Sequence, residues 1–270
     1  MRLEIEASLV YEFASSTQVL ISIQASQSRD QDIVSESLVF DPDAALTLDK
    51  NLEGDRRLRC VLSGPARITY RATIENRMRP LLPAQGRQHS WEELPHFAFP
   101  FLLPSRFCPS DRFMRFAQRE FPQQGDGVAR VLAVLDWIHR HIDYLHGVSD
   151  AETTALETFV DRAGVCRDFT HLAITFCRAI GVPARAVSAY ALDLQPPDFH
   201  AVLEVYLENA WWLVDPTRLA PVGGLVRIGS GRDASDIAFM TTDKPCRMIE
   251  QNIVVRAVDQ AADGPQSAQN

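Results

Sequence analysis

The chain has 270 residues, with 27 Lys+Arg against 35 Asp+Glu, a formal net charge of −8 and 46% hydrophobic residues. That length suits one large or two small domains with a self-sufficient core. The acidic balance, with no basic concentration beyond Arg56-Arg57-Leu58-Arg59 and Arg77-Met78-Arg79, excludes nucleic acid and an anionic membrane as partners, and with neither an eighteen-residue apolar run nor a secretory leader a cytoplasmic location is expected.

In chain order, Leu3, Ile5, Ala7, Leu9, Tyr11 and Phe13 alternate with polar neighbours, as do Val19, Ile21 and Ile23, then Leu58, Cys60 and Leu62, then Ile68, Tyr70, Ala72 and Ile74. A period of two predicts half-buried strands, and the Asp, Pro and Gly turns between them predict a small antiparallel β-sandwich over residues 1–80. Residues 81–104, with Pro83, Pro95, Pro100 and Pro104, read as a proline-rich linker. The period then changes. Asp111 is placed to cap a short helix carrying Phe113, Met114, Phe116 and Ala117. Val128, Val131, Leu132, Leu135, Ile138 and Ile142 predict an amphipathic helix over about 127–143. A short helix is expected near 153–161, and a longer one from Cys166 to the stop signal Gly181-Val182-Pro183. Strands follow at about 184–192, 200–207 and 211–215, which makes residues 105–256 an α+β domain. Residues 257–270 read as a disordered tail.

Five cysteines, Cys60, Cys108, Cys166, Cys177 and Cys246, have no C-x-x-C spacing, so neither a disulfide framework nor a zinc ribbon is indicated. Cys166 differs from the rest in opening a helix, where unpaired N–H groups and the helix dipole favour a thiolate. Position alone leaves it equally readable as a small buried hydrophobe. A catalytic thiol needs a base, and the base needs an orienting acceptor. If Glu208-Asn209 is a two-residue hairpin turn, Leu207 pairs with Ala210 and Val202 with Asp215, which puts His200 and Asp215 on one face as diagonal neighbours. A three-residue loop would break that parity.

These blocks carry a resemblance. Gly164-Val165-Cys166-Arg167-Asp168-Phe169, the helix end Gly181-Val182-Pro183-Ala184-Arg185, Asp198-Phe199-His200-Ala201 and Trp212-Leu213-Val214-Asp215-Pro216-Thr217 together resemble the transglutaminase-like superfamily. Ile142-Asp143-Tyr144-Leu145-His146-Gly147 and the β-rich N-terminal region resemble its bacterial branch. The resemblance implies a papain-like core with Cys166 as nucleophile, His200 as general base and then acid, and Asp215 orienting the imidazole. It also implies attack on a peptide, isopeptide or carboxamide carbonyl, and a thioester released to water or an amine. The Cys166 backbone N–H would be one oxyanion donor, with a second expected from Tyr144 or Trp137. Position 202, often Trp in this superfamily, is Val202 here. The implied partner is a peptide or protein substrate. A non-catalytic peptide-binding module on the same fold is the alternative.

No cofactor, metal or calcium loop is expected. His139 and His141 lie 200° apart on their helix and cannot share an ion with Asp143 and His146. His171 lies about 140° from Cys166 around the helix and is not its base. Asp168 is expected to stabilise the helix N-terminus.

Overall fold

The computed structural model describes residues 1–51, 54–121 and 126–258. Its first layer is built on two long antiparallel strands, β1 (Arg2–Ile21) and β4 (Arg56–Asn76). β2 (Gln31–Asp41) and β3 (Thr47–Lys50) flank β4. The predicted sandwich is therefore a single hydrogen-bonded sheet of six strands, whose other edge comes from the far end of the chain. β11 (Met240–Thr242) and β12 (Cys246–Val258) pair antiparallel with β1, with Leu3 opposite Ala257 and Arg2 opposite Val258. Two expectations change with this. Residues 240–256, read as part of the second domain, are strands of the first sheet. Residues 257 and 258, read as the start of a disordered tail, are paired backbone; 259–270 lie outside the described residues.

The second layer runs α1 (Met114–Glu120), α2 (Gly127–His141), β5 (Asp143–Tyr144), α3 (Ala155–Asp161), β6 (Ala163–Gly164) and α4 (Cys166–Ala179). β7 (Ala184–Ala191), β8 (Phe199–Leu207), β9 (Ala210–Val214), β10 (Leu225–Gly231) and α5 (Ala234–Ile237) follow. β10-β7-β8-β9 form an antiparallel sheet. Leu203, Val205 and Leu207 of β8 pack with Phe169, Ala173 and Phe176 of α4 in one core, which includes α2 through Val131, Val134 and Ile138. This core supplies most of the stability of the layer, because propensity alone does not hold helices of 14–15 residues.

Local signals fix the helix ends. Asp126 caps α2 by accepting from Val128 N (2.8 Å) and Ala129 N (3.2 Å), and Thr154 with Glu157 forms a capping box on α3. Gly181, at φ +81°, ends α4, with Val182 N bonded to Cys177 O at 2.8 Å. Asp111 does not cap α1. It lies inside a 3₁₀ turn, Ser110–Phe113, that leads straight into the helix and leaves its side chain no cap to make.

The proline-rich stretch is bound rather than loose. Leu94, Ala98 and Leu102 are buried against Tyr206, and Gln88 Nε2 donates to the carbonyls of Ile180 and Gly181. Between the layers, Tyr190 stacks on Tyr70 and donates to Ile23 O at 2.6 Å. Arg227 bonds both Asp30 oxygens at 2.7 Å and pairs with Glu204 at 2.8 Å. Glu204 also pairs with Arg185 at 2.6 Å. Among the described residues no helix is long and apolar enough to cross a membrane.

Candidate active site

The glycine before the motif cysteine is dictated by crowding. A Cβ on Gly164 would lie 2.6 Å from Asp168 Cβ, far inside contact distance. That close approach lets the buried Asp168 side chain reach back over the start of α4. Its Oδ2 accepts from Val165 N at 2.8 Å and from Ser149 Oγ at 2.5 Å, which satisfies a free helix N–H group and ties down the loop before α3. Cys166 is the first residue of this helix and is partly exposed, whereas Cys60, Cys108 and Cys177 are buried. Burial pushes the thiols of Cys108 and Cys177 up to about 12 and raises that of Cys60.

Thr170, one turn into α4, donates from Oγ1 to Ala201 O at 2.9 Å and fixes the helix against β8 beside His200. The hairpin of β8 and β9 has the register expected from a two-residue turn. Leu207 pairs with Ala210 and Leu203 with Val214, and Glu208 and Asn209 take φ of +50° and +61°. Asp215, one residue past that last pair, meets His200 diagonally, with Nε2 to Oδ2 at 2.9 Å.

Asp215 is held at every other lone pair. Oδ1 accepts from Thr217 N (2.9 Å) and Thr217 Oγ1 (2.7 Å), and Oδ2 also accepts from Ala220 N (3.1 Å). Burial opposes its charge, but the hydrogen bonds from His200 and Thr217 outweigh burial and keep the carboxyl below its usual range. An ionised Asp215 accepts only, so Nε2 of His200 carries a proton. In the neutral ring Nδ1 is therefore the basic nitrogen, and it is buried with no hydrogen-bond partner at ordinary geometry. Burial lowers the His200 pKa; the hydrogen bond and charge of Asp215 and the sulfur of Cys166 overcome this and raise it to about 9. With Nε2 committed to Asp215, Nδ1 is the nitrogen through which Cys166 acts.

The sign for stability follows directly. A pKa raised from 6.5 to about 9 on folding stabilises the native state fully below pH 6.5 and loses that contribution as pH rises towards about 9. The expected NMR result is a His200 ring titrating near pH 9 in the native protein and at a markedly lower pH in Asp215→Asn. An unmoved midpoint in the variant would show that Asp215 does not set it.

Tyr144 reaches the site through a two-residue parallel bridge in which Asp143 pairs with Ala163 and Tyr144 with Gly164. Burial raises the phenol pKa, the charge of Cys166 adds to the rise, and the Cys166 backbone N–H directed at it offsets part. The hydroxyl thus stays protonated beside Cys166. Trp137, the other aromatic expected here, is not brought to the site. It packs in an aromatic cluster with Phe116, Phe159 and Phe176, stacks on His141 at 4.3 Å, and is covered by Arg162. The inward face of α2 is turned to the core, which carries Trp137 away from Cys166. His171 is also a core residue: it accepts from Ala234 N at 3.1 Å, and burial lowers its pKa to about 4.

A cavity of about 90 Å³ opens beside Cys166, lined among others by Tyr144, His146, Leu194, Asp198 and Phe199. In the loop carrying Leu194 and Asp198, the sequence signals were its prolines and the block Asp198-Phe199-His200-Ala201, neither of which placed Asp198 at the cavity. A wider hollow of about 360 Å³ on the outer face of the first sheet, between Glu6, Glu36 and Arg71, contains no nucleophile. Among the described residues no group of three or more His, Cys, Asp or Glu side chains is arranged to hold a metal ion.

Against known proteins, the family model described as the transglutaminase-like superfamily core matches residues 115–216, a span that includes Cys166, His200 and Asp215. The fold superimposes with a TM-score of 0.88 on the crystal structure of a protein from Cytophaga hutchinsonii described as a "putative cysteine protease". That protein is 32% identical, and the match covers 96% of this chain and 91% of that one. An uncharacterized protein of Mycobacterium leprae is 26% identical over 163 residues, covering 55% of this chain and 58% of the relative. One from Mycobacterium tuberculosis is 31% identical over 115 residues, 37% of each. The chain thus spans well under two thirds of the length of these curated relatives.

Proposed function

The chain belongs to the transglutaminase-like superfamily, and from that premise we propose that it is a thiol-dependent hydrolase or acyltransferase acting on peptide, isopeptide or carboxamide bonds. The observation that carries the reading is the 2.9 Å bond from His200 Nε2 to Asp215, which leaves the basic Nδ1 without a hydrogen-bond partner and under the influence of Cys166. In this reading Nδ1 takes the thiol proton, and the sulfur attacks the carbonyl carbon of a peptide or protein substrate. The carbonyl oxygen gains charge and is met by the Cys166 backbone N–H and the Tyr144 hydroxyl. The imidazolium then returns its proton to the leaving amine. A thioester remains on Cys166, and water or a second amine, deprotonated by the same Nδ1, attacks it and restores the thiol.

Alkylation tests the first step. At pH 7, iodoacetamide in less than molar equivalence is expected to modify Cys166 at least about a hundredfold faster than Cys246, which has similar exposure, and faster still than the buried thiols. Equal rates at Cys166 and Cys246 would sink the nucleophile. The acceptor is read separately: a fluorescent primary amine incorporated into a glutamine-bearing protein marks transfer, and new peptide termini mark hydrolysis.

A further inference from the structure

Asp198 takes no part in the acyl-transfer steps, yet it lines the same cavity as Cys166. Oδ1 is fixed from two sides, accepting from Phe199 N at 2.6 Å and from Gln251 Nε2 on β12. Oδ2 accepts no hydrogen bond from the described residues. The same lining has an apolar part, Val165, Leu194, Pro196 and Phe199, beside Tyr144, His146 and Gln195. No Lys or Arg lines the cavity. Arg167, adjacent to the nucleophile, is turned away to the Asp150 carbonyl and to Asp168.

We infer that Asp198 selects substrates bearing a cationic side chain, Lys or Arg, next to the scissile carbonyl. The inference rests on the reading of Cys166 as the nucleophile. An apolar wall accepts the methylenes of such a side chain while its charged end stays in water at the exposed Asp198 carboxylate, the arrangement long cationic side chains adopt readily. A cavity of about 90 Å³ has room for a slender side-chain stem. An acidic side chain in the same place would meet the like charge of Asp198, with no Lys or Arg in the lining to offset it. The charge of Asp198 is felt across the space, since it contributes to keeping Tyr144 protonated. The bond from Gln251 and the stacking of Phe199 on Phe239 at 4.7 Å also give the first sheet a part in specificity, because both hold the Asp198 loop from that layer.

Charge-matched thiol reagents test this without a known substrate. Cys166 is modified with methanethiosulfonates carrying 2-aminoethyl, methyl or 2-sulfonatoethyl groups, and the charged rates are divided by the methyl rate for the same variant. The cationic-to-anionic ratio is expected to fall about tenfold in Asp198→Asn, to invert in Asp198→Lys, and to shrink with salt in the wild type. A ratio unchanged in both variants overturns the inference. The methyl rate separately reads the nucleophile: if Cys166 is no faster than Cys246, that reading fails while the charge ratio still reports on Asp198. Tetrapeptide amides with Lys, norleucine or Glu just before or just after the central amide show on which side the cation sits. The Lys peptide is expected to protect Cys166 from the methyl reagent best in one of the two positions. Equal protection by norleucine in both, or none by either Lys peptide, also overturns it.

Discussion

Replacing His200 with alanine is expected to lower kcat/KM for amide hydrolysis by at least about 10³-fold, and to erase the alkylation advantage of Cys166 over Cys246. Two separate losses combine in this effect. Without Nδ1 the thiol has no nearby base, and without an imidazolium the departing amine has no acid, so both the attack and the collapse of the tetrahedral intermediate slow. The oxyanion donors remain, which is why some activity over uncatalysed hydrolysis should persist. The fold is expected to survive, because Asp215 keeps its three bonds from Thr217 and Ala220 when the imidazole is removed. Kinetics and thermal unfolding on the same preparation check the result. A variant that keeps activity within tenfold of the wild type would remove His200 from the mechanism.

Replacing Glu204 with leucine is expected to destabilise the protein by about 3–5 kcal/mol, a drop in Tm of about 10 °C. Glu204 is 2% exposed and lies between Arg185 and Arg227. Burial disfavours its charge, but the two guanidinium groups more than offset this and hold the carboxyl below its usual range. Its stabilising contribution is therefore present at neutral pH and is lost as pH falls through that depressed value. Removing it leaves Arg227 with Asp30 alone and Arg185 with the face of Trp211 at 4.3 Å. Most of the cost is the buried positive charge left behind, so adding Arg185→Leu to Glu204→Leu should recover part of the lost Tm. If the double variant is the sum of the two singles, the pair is not coupled. Glu204 lies on β8 four residues from His200, so this network and the imidazole share one strand.

What the sequence determined is the chemistry-bearing half. A helix beginning at Cys166 and stopping at Gly181, a hairpin turning at Glu208-Asn209, and the parity that puts His200 beside Asp215 are all local matters. They depend on dihedral preferences, on helix-end signals and on the period of two in a strand, and each is written within a few residues. The buried strands of the first sheet were legible for the same reason, since β1 and β4 alternate over a buried face.

Tertiary structure decided the rest. β2 and β12 lie towards the sheet edges with mostly exposed or half-exposed side chains, so they carry little of the alternation that reveals a strand, and nothing local says that residues 246–258 pair with residues 2–13. In the sequence, its position just past the helix favours Tyr144 over Trp137 as the aromatic to assist Cys166. A two-residue bridge from β5 to β6 brings Tyr144 to Cys166, while packing turns Trp137 into the aromatic core. Asp198 opens the histidine block in the sequence, but only the fold puts it in the lining of the cavity beside Cys166, with Gln251 from the far end of the chain bonded to its carboxylate. Contacts between residues distant in sequence come from the global balance of buried area, hydrogen bonding and chain entropy, which no short stretch of sequence encodes.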